Sequence, residues 1–157
     1  MNKAYICVKD HLGVDEILRS GGLVEKKNIP EEGPEKKILI VDDDPVTLKM
    51  LEKILLLGGY WVAKATNGKE ALYIADEFQP DLIILDIVMP IMDGTEAMEK
   101  LEKNPRTKNI PVLFLTSLIS KKEEFDNCTA NRRFLAKPIE RDRLLDEVER
   151  GLEKTIS

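Results

Sequence analysis

Four short, unbroken apolar runs punctuate the chain from Lys37 onward: ILIV at 38–41, WVA at 61–63, LIIL at 82–85 and VLFL at 112–115; FLA at 134–136 makes a weaker fifth. A strand that is apolar at every position must be buried on both faces. Between the runs, apolar residues recur at helical spacing. Leu48, Leu51, Ile54 and Leu55 share one face, as do Ala71, Leu72, Ala75 and Phe78, and later Leu144, Leu145, Val148 and Leu152. Doubly buried strands alternating with one-sided helices specify an α/β domain, a parallel sheet covered on both faces. The expected fold is (βα)5, an open, doubly wound five-stranded sheet with a short N-terminal extension. No internal repeat or low-complexity tract interrupts the pattern.

The first part of the chain is different. It offers one strand-like stretch at Tyr5–Val8 and one short helical stretch at Val14–Ser20, closed by Gly21 and Gly22. It ends in NIPEEGPEKK, whose Pro, Gly and charge content is that of a linker. We therefore divide the chain into an extension and linker, residues 1–35, and a domain, residues 36–157. A chain of 157 residues accommodates one such domain with an extension. The formal charge of -5 argues against a nucleic-acid-binding surface. Cys7 and Cys128 lack the spacing of a zinc site or redox pair, and read as reduced thiols of a cytosolic protein. AYICV is too short for a signal-peptide core, and no run reaches transmembrane length.

In open parallel sheets ligands bind beyond the carboxyl ends of the strands, so those ends are where function should be read. The first ends in Asp42, Asp43 and Asp44, three carboxylates that repel one another unless something positive sits among them. Asp44 precedes Pro45, which suits an N-cap followed by proline at the first helical position. Asp42 and Asp43 are then unexplained charge. The third strand ends at Asp86, the fourth at Thr116 and Ser117, the fifth at Lys137 before Pro138. Oxygen ligands in so small a cluster select a hard cation, and one that leaves room for waters and a phosphate suits magnesium. Taken singly, each residue has a plain structural explanation: a loop carboxylate, a helix cap, a solvated ammonium.

Taken together, VDDDP, LDIVMPIMDG, FLTS and FLAKP resemble the receiver (CheY-like) domain of two-component response regulators. Their order is the family's, with separations of 43, 30 and 21 residues from Asp43 through Asp86 and Thr116 to Lys137. The likeness covers about residues 36–154. It implies the flavodoxin-like strand order 2-1-3-4-5, and Asp86 as acceptor of a phosphoryl group from a sensor histidine kinase or histidine phosphotransfer protein. It implies Asp43 as a direct magnesium ligand, Asp42 as a partner holding the metal largely through water, and the backbone carbonyl of Val88 as a further ligand beside Asp86. Thr116 matches the hydroxyl that reorients to the phosphoryl oxygen, Lys137 the ammonium that pairs with it, and Phe134 the switch aromatic. The Lys137–Pro138 bond is implied to be cis. Such a set is chemically intelligible: magnesium and Lys137 offset the charge that a phosphoryl group brings into a carboxylate cluster while Asp86 attacks in line.

The match has departures. Phe134 stands where tyrosine is frequent and lacks a hydroxyl. CTANRRF lacks the glycine and alanine usual before the fifth strand, and the Thr116 to Lys137 spacing is one residue short, so a shortened or distorted helix is expected there. Val88 and Leu118, at the positions flanking the water path to the acyl phosphate, are apolar, which implies a long-lived phosphorylated state. His11 is the only histidine and reads as a surface residue, so the donor lies elsewhere. Met89, Pro90, Met92, Asp93 and Gly94 are read as shaping a turn. With the chain ending at Ser157, a single-domain regulator is expected, catalysing only its own phosphorylation and dephosphorylation. It would signal by binding an unknown downstream protein or by phosphorelay. An alternative makes the extension part of the output, as an interaction or dimerisation arm. Two other classes fit less well. A flavodoxin-like electron carrier needs a hydroxyl-rich and glycine-rich phosphate loop where this chain is acidic, and a haloacid-dehalogenase-type phosphatase needs a second acid at Val88.

Overall fold

The computed structural model describes residues 36–89, 91–117 and 131–153. Five strands form a single parallel sheet: β1 (Lys37–Val41), β2 (Trp61–Ala65), β3 (Leu82–Asp86), β4 (Val112–Thr116) and β5 (Arg132–Ala136), in the order β2-β1-β3-β4-β5. The helices among the described residues are α1 (Pro45–Leu57), α2 (Gly68–Phe78), α3 (Gly94–Lys103) and α4 (Arg141–Glu153). This is the expected doubly wound fold with the expected strand order. The extension's expected strand and helix, both cysteines, His11 and the expected distorted helix before β5 lie outside the described residues.

Side chains alternate across the sheet and divide the core in two. Leu39, Val41, Ile83, Leu85, Val112 and Phe114 join Ala71, Ile74, Ala75, Ala97, Met98 and Leu101 on the α2 and α3 side. Ile38, Ile40, Leu82, Ile84, Leu113, Leu115 and Leu135 join Leu48, Leu51, Leu55, Leu144, Val148 and Leu152 on the α1 and α4 side. Continuous apolar runs were therefore necessary, because each strand supplies both layers.

β2 and β5 extend two residues past their apolar runs, and ion pairs explain why. In β5, Arg132 pairs with Glu102 of α3, while Arg133 Nε reaches Glu147 of α4 at 2.6 Å. Adjacent residues point to opposite faces, so each arginine meets a different helix. In β2, Lys64 meets Glu52 of α1 at 3.0 Å. Both are edge strands, where a charged residue can reach the rim and lie over the sheet with its alkyl stem. The sequence reading of these strands was short because it counted only apolar residues.

Helix starts follow their caps. Asp44, Asn67 and Asp93 are the N-caps of α1, α2 and α3, and their side chains accept from the backbone N–H groups of Val46, Glu70 and Glu96. The cap role read for Asp44 and the turn role read for Asp93 both hold. Leu39 is fully buried at the centre of the sheet, whereas Leu57 is 64% exposed at the end of α1. Leu39→Ala should therefore lower stability to urea by about 3 kcal/mol, and Leu57→Ala by less than about 0.5 kcal/mol. Equal shifts of the two urea midpoints would contradict the assignment of the core.

Candidate functional site

Strand order reverses at β1, which lies between β2 and β3, so the crevice where sheets of this type bind ligands opens at the carboxyl ends of β1 and β3. Val41 pairs with Leu85, and the chain emerges one residue later as Asp42 and Asp86, side by side. Alternation carries Asp42 on from the Ile38–Ile40 row and Asp86 from the Leu82–Ile84 row, both on the α1 and α4 side. Asp42 is fully buried and Asp86 is 6% exposed. Asp43 is exposed beside them, and carboxylate oxygens of all three lie within 4.8 Å of one another.

Lys137 enters this cluster from the end of β5. Its N–H donates to the Thr116 carbonyl at 2.9 Å, continuing the β4–β5 ladder past the last paired residues. Its Nζ lies 3.3 Å from Asp42 Oδ2 and 3.2 Å from Asp86 Oδ2. The Lys137–Pro138 peptide is cis. Thr116 is buried at the end of β4, on the opposite row from the carboxylates. Phe134 shares that row: it is the cross-strand partner of Phe114, and the rings stack with centroids 5.1 Å apart. The sequence reading missed Phe114, although its place in VLFL two residues before Thr116 carried the signal.

Backbone donors fix the carboxylates. The Asp44 N–H donates to Asp42 Oδ1 at 2.9 Å and the Val88 N–H to Asp86 Oδ1 at 3.2 Å. Asp44 thus serves twice, capping α1 with its side chain and holding Asp42 with its backbone. Beyond Val88 the chain turns back toward α3. Gly94 N–H donates to the Ile87 carbonyl at 2.9 Å, and a Cβ on Gly94 would overlap the Asp86 carbonyl oxygen. Only glycine allows α3 to begin so close to the strand. Met89 and Met92 are buried in this turn, as its reading from sequence requires, and Pro90 lies outside the described residues. At the apex Ile91 is 80% exposed, with φ of 72°.

The electrostatics follow from this packing. Burial pushes the Asp42 carboxyl above its ordinary value of 3.8, and the Asp86 charge adds to it, outweighing the Asp44 N–H and the Lys137 ammonium. Burial alone would lower the Lys137 pKa, but Asp42 and Asp86 more than offset it and hold the ammonium above its usual 10.5. For Asp42, the cost of burial together with the Asp86 charge is more than one N–H and one ammonium offset. A hard divalent cation fits these residues: the donors are all oxygen, they face one small volume, and Asp42 is strained toward protonation without one.

The fold and this charged edge define a CheY-like signalling domain. The chain belongs to the response regulator receiver domain family, whose model matches residues 38–149. Protein PilH of Pseudomonas aeruginosa is 35% identical over 116 residues, which cover 71% of this chain and 93% of that protein. The DNA-binding dual master transcriptional regulator RpaA of Synechocystis is 36% identical over 122 residues, 76% of this chain but only 50% of that protein. The chain therefore spans nearly all of one relative and half of another. Among solved structures, the receiver domain of a Pseudomonas aeruginosa sensor histidine kinase, with magnesium coordinated in its active-site cleft, superposes with a TM-score of 0.66. It is 28% identical, and the match covers 76% of this chain and 99% of that one.

The raised Asp42 pKa has a definite sign in stability. The folded state holds a proton on Asp42 more tightly than the unfolded chain, so stability falls as pH rises from about 3.8 through the folded value. The Lys137 contribution is present throughout that window and is lost only above 10.5. In metal-free buffer at pH 7, Asp42→Asn should therefore be more stable to urea than the parent. Its advantage should narrow as pH falls through the carboxylate range. A parent more stable than the variant at pH 7 would contradict this account of the cluster.

Proposed function

We propose that the chain is a magnesium-dependent phosphoacceptor that takes its phosphoryl group on Asp86 from the histidine of a sensor kinase or phosphotransfer protein. The observation that carries this reading is the juxtaposition of Asp42, Asp43 and Asp86 with the Lys137 ammonium in contact with two of them. In the proposed reaction an Asp86 carboxylate oxygen attacks phosphorus, the N–P bond of phosphohistidine breaks, and the imidazole takes up a proton as it leaves. The product is an acyl phosphate. The Val88 N–H to Asp86 Oδ1 bond turns the carboxylate, and Lys137 stands on its other oxygen, ready to accept the incoming negative charge. Asp42, Asp43, Asp86 and the Val88 carbonyl would hold magnesium, whose chemistry when bound is to neutralise developing charge on the phosphoryl oxygens.

In the same reading Thr116 offers its hydroxyl to the phosphoryl group, and Phe134 reports the change through the row that the two share. Lacking a hydroxyl, Phe134 does so by ring packing alone, and its stack on Phe114 is the contact to be made or broken. We take residues 36–157 as the receiver domain and residues 1–35 as an extension. The family match beginning at residue 38 supports that boundary. A receiver of this extent, which covers 93% of PilH, would act by docking to a downstream protein or by phosphorelay. A net charge of -5 favours a protein partner over nucleic acid. No helix among the described residues is long and apolar enough to cross a membrane, which suits a cytoplasmic role. The chain would act chemically only on itself.

With acetyl phosphate and magnesium, the parent should gain one phosphoryl group by intact-mass measurement, and Asp86→Asn none. Asp43→Ala should lose the metal-dependent labelling. A labelled Asp86→Asn variant would move the acceptor elsewhere, and full labelling of Asp43→Ala would remove that residue from the metal site.

The lifetime of the acyl phosphate depends on a water reaching phosphorus in line. Val88 is 62% exposed beside Asp86 and, being apolar, can neither hold nor orient that water. Leu118, its counterpart in the sequence reading, lies outside the described residues. A double variant, Val88→Asn with Leu118→Glu, should lose its phosphoryl group faster than the parent when the purified phosphoproteins decay in magnesium. Equal rates would separate these side chains from the water path.

A further inference from the structure

The turn between β3 and α3 carries the Val88 carbonyl and bears on both the backbone and the carboxylate of Asp86, yet it is also seated against a helix with no other part in the site. Gly68, buried in the first turn of α2, lies under Met92. A Cβ at Gly68 would stand 2.7 Å from the Met92 carbonyl oxygen, 2.8 Å from its Cγ and 3.0 Å from its Cβ. Met92 is itself only 9% exposed and belongs to the core on that side of the sheet. Two residues further on, Gly94 is pressed against the Asp86 carbonyl. Two missing Cβ atoms thus set the height of one turn, Gly94 at the strand and Gly68 at the helix.

We infer that Gly68 is a positioning residue for the phosphoacceptor site: its bare Cα lets Met92 seat the turn at the depth that holds the Val88 backbone against the Asp86 carboxylate. The inference rests on the metal reading proposed above. An alanine at 68 would force Met92 from 2.7 Å toward the 3.4 Å of ordinary contact, and the atom in the way is backbone, which cannot rotate aside. The turn must then rise, or α2 must withdraw. Shifts of this size matter where oxygen ligands share one cation, because second-layer changes that reorient ligands typically weaken metal affinity on the order of ten-fold or more. Helix propensity acts the other way: alanine is the better helix former, so an isolated α2 would gain from the change. A loss therefore reports the contact with the turn.

The test is magnesium affinity, read from amide chemical shifts during titration with the metal alone, beside urea stability. Gly68→Ala should bind magnesium on the order of ten-fold more weakly than the parent. Glu77→Gly, which weakens α2 from its exposed face, should lose stability and keep the parent's affinity. Met92→Ala leaves the carbonyl but removes the Cγ seated over Gly68, so it loosens the turn from the other side and should also weaken binding. Because both changes act at one seat, the double variant should lose less than the sum of the singles. If Gly68→Ala fails to fold, Met92→Ala against Glu77→Gly carries the comparison. Parent-like affinity in Gly68→Ala and Met92→Ala, equal weakening in Glu77→Gly, or additive losses in the double variant would overturn the inference alone. A parent that binds no magnesium would overturn the metal reading and this inference together.

Discussion

Two carboxylates at the end of a parallel sheet, both almost out of water and side by side, are the constraint around which the rest of this domain is arranged. Asp42 and Asp86 arrive together because β1 and β3 are neighbours in register and because both residues continue the same row of side chains. That row otherwise consists of Ile38, Ile40, Leu82 and Ile84, the centre of a core layer. The charges are therefore anchored in the packed core and cannot move apart to relieve their repulsion. Three devices compensate in part: the Asp44 and Val88 N–H groups, one for each carboxylate, and the Lys137 ammonium between them. Burial first, and then the Asp86 charge, still leave the pKa of Asp42 raised, which favours a divalent cation beside it.

Most of this was legible in the sequence because it depends on strand ends, and strand ends are marked by where apolar runs stop. VDDDP, LD and FLAKP each announce a charge at the edge of a buried strand, and Asp44 before Pro45 announces its own cap. The core was equally legible, since every unbroken run proved to feed both layers. Ile74 was overlooked on α2, where attention to Leu72 and Phe78 placed the buried face slightly too far round; both of those are only partly covered.

What escaped was tertiary pairing. Arg132, Arg133 and Lys64 look like the ends of strands until Glu102, Glu147 and Glu52 are placed opposite them by helices 30, 14 and 12 residues away. The stack of Phe114 on Phe134 needed the β4–β5 register, which no local pattern supplies. The glycines are the clearest case. MDG reads as a turn, but that Gly94 lies against Asp86 and Gly68 against Met92 is a fact about close approach in three dimensions.

The turn after Asp86 is uneven along its length, and this bears on how such a chain could change over time. Met92 and Gly94 are fixed by neighbours that tolerate no added atom, whereas Ile91 between them and the strand points into solvent with a backbone angle that a β-branched residue adopts only under strain. Among the described residues its side chain joins neither core cluster. Drift toward asparagine or glycine at this apex would release conformational strain and remove an exposed apolar surface at once, without reaching the carboxylates. The loop that follows Asp86 thus keeps one adjustable position beside fixed ones, a place where lineages can diverge in surface character without disturbing the carboxylates.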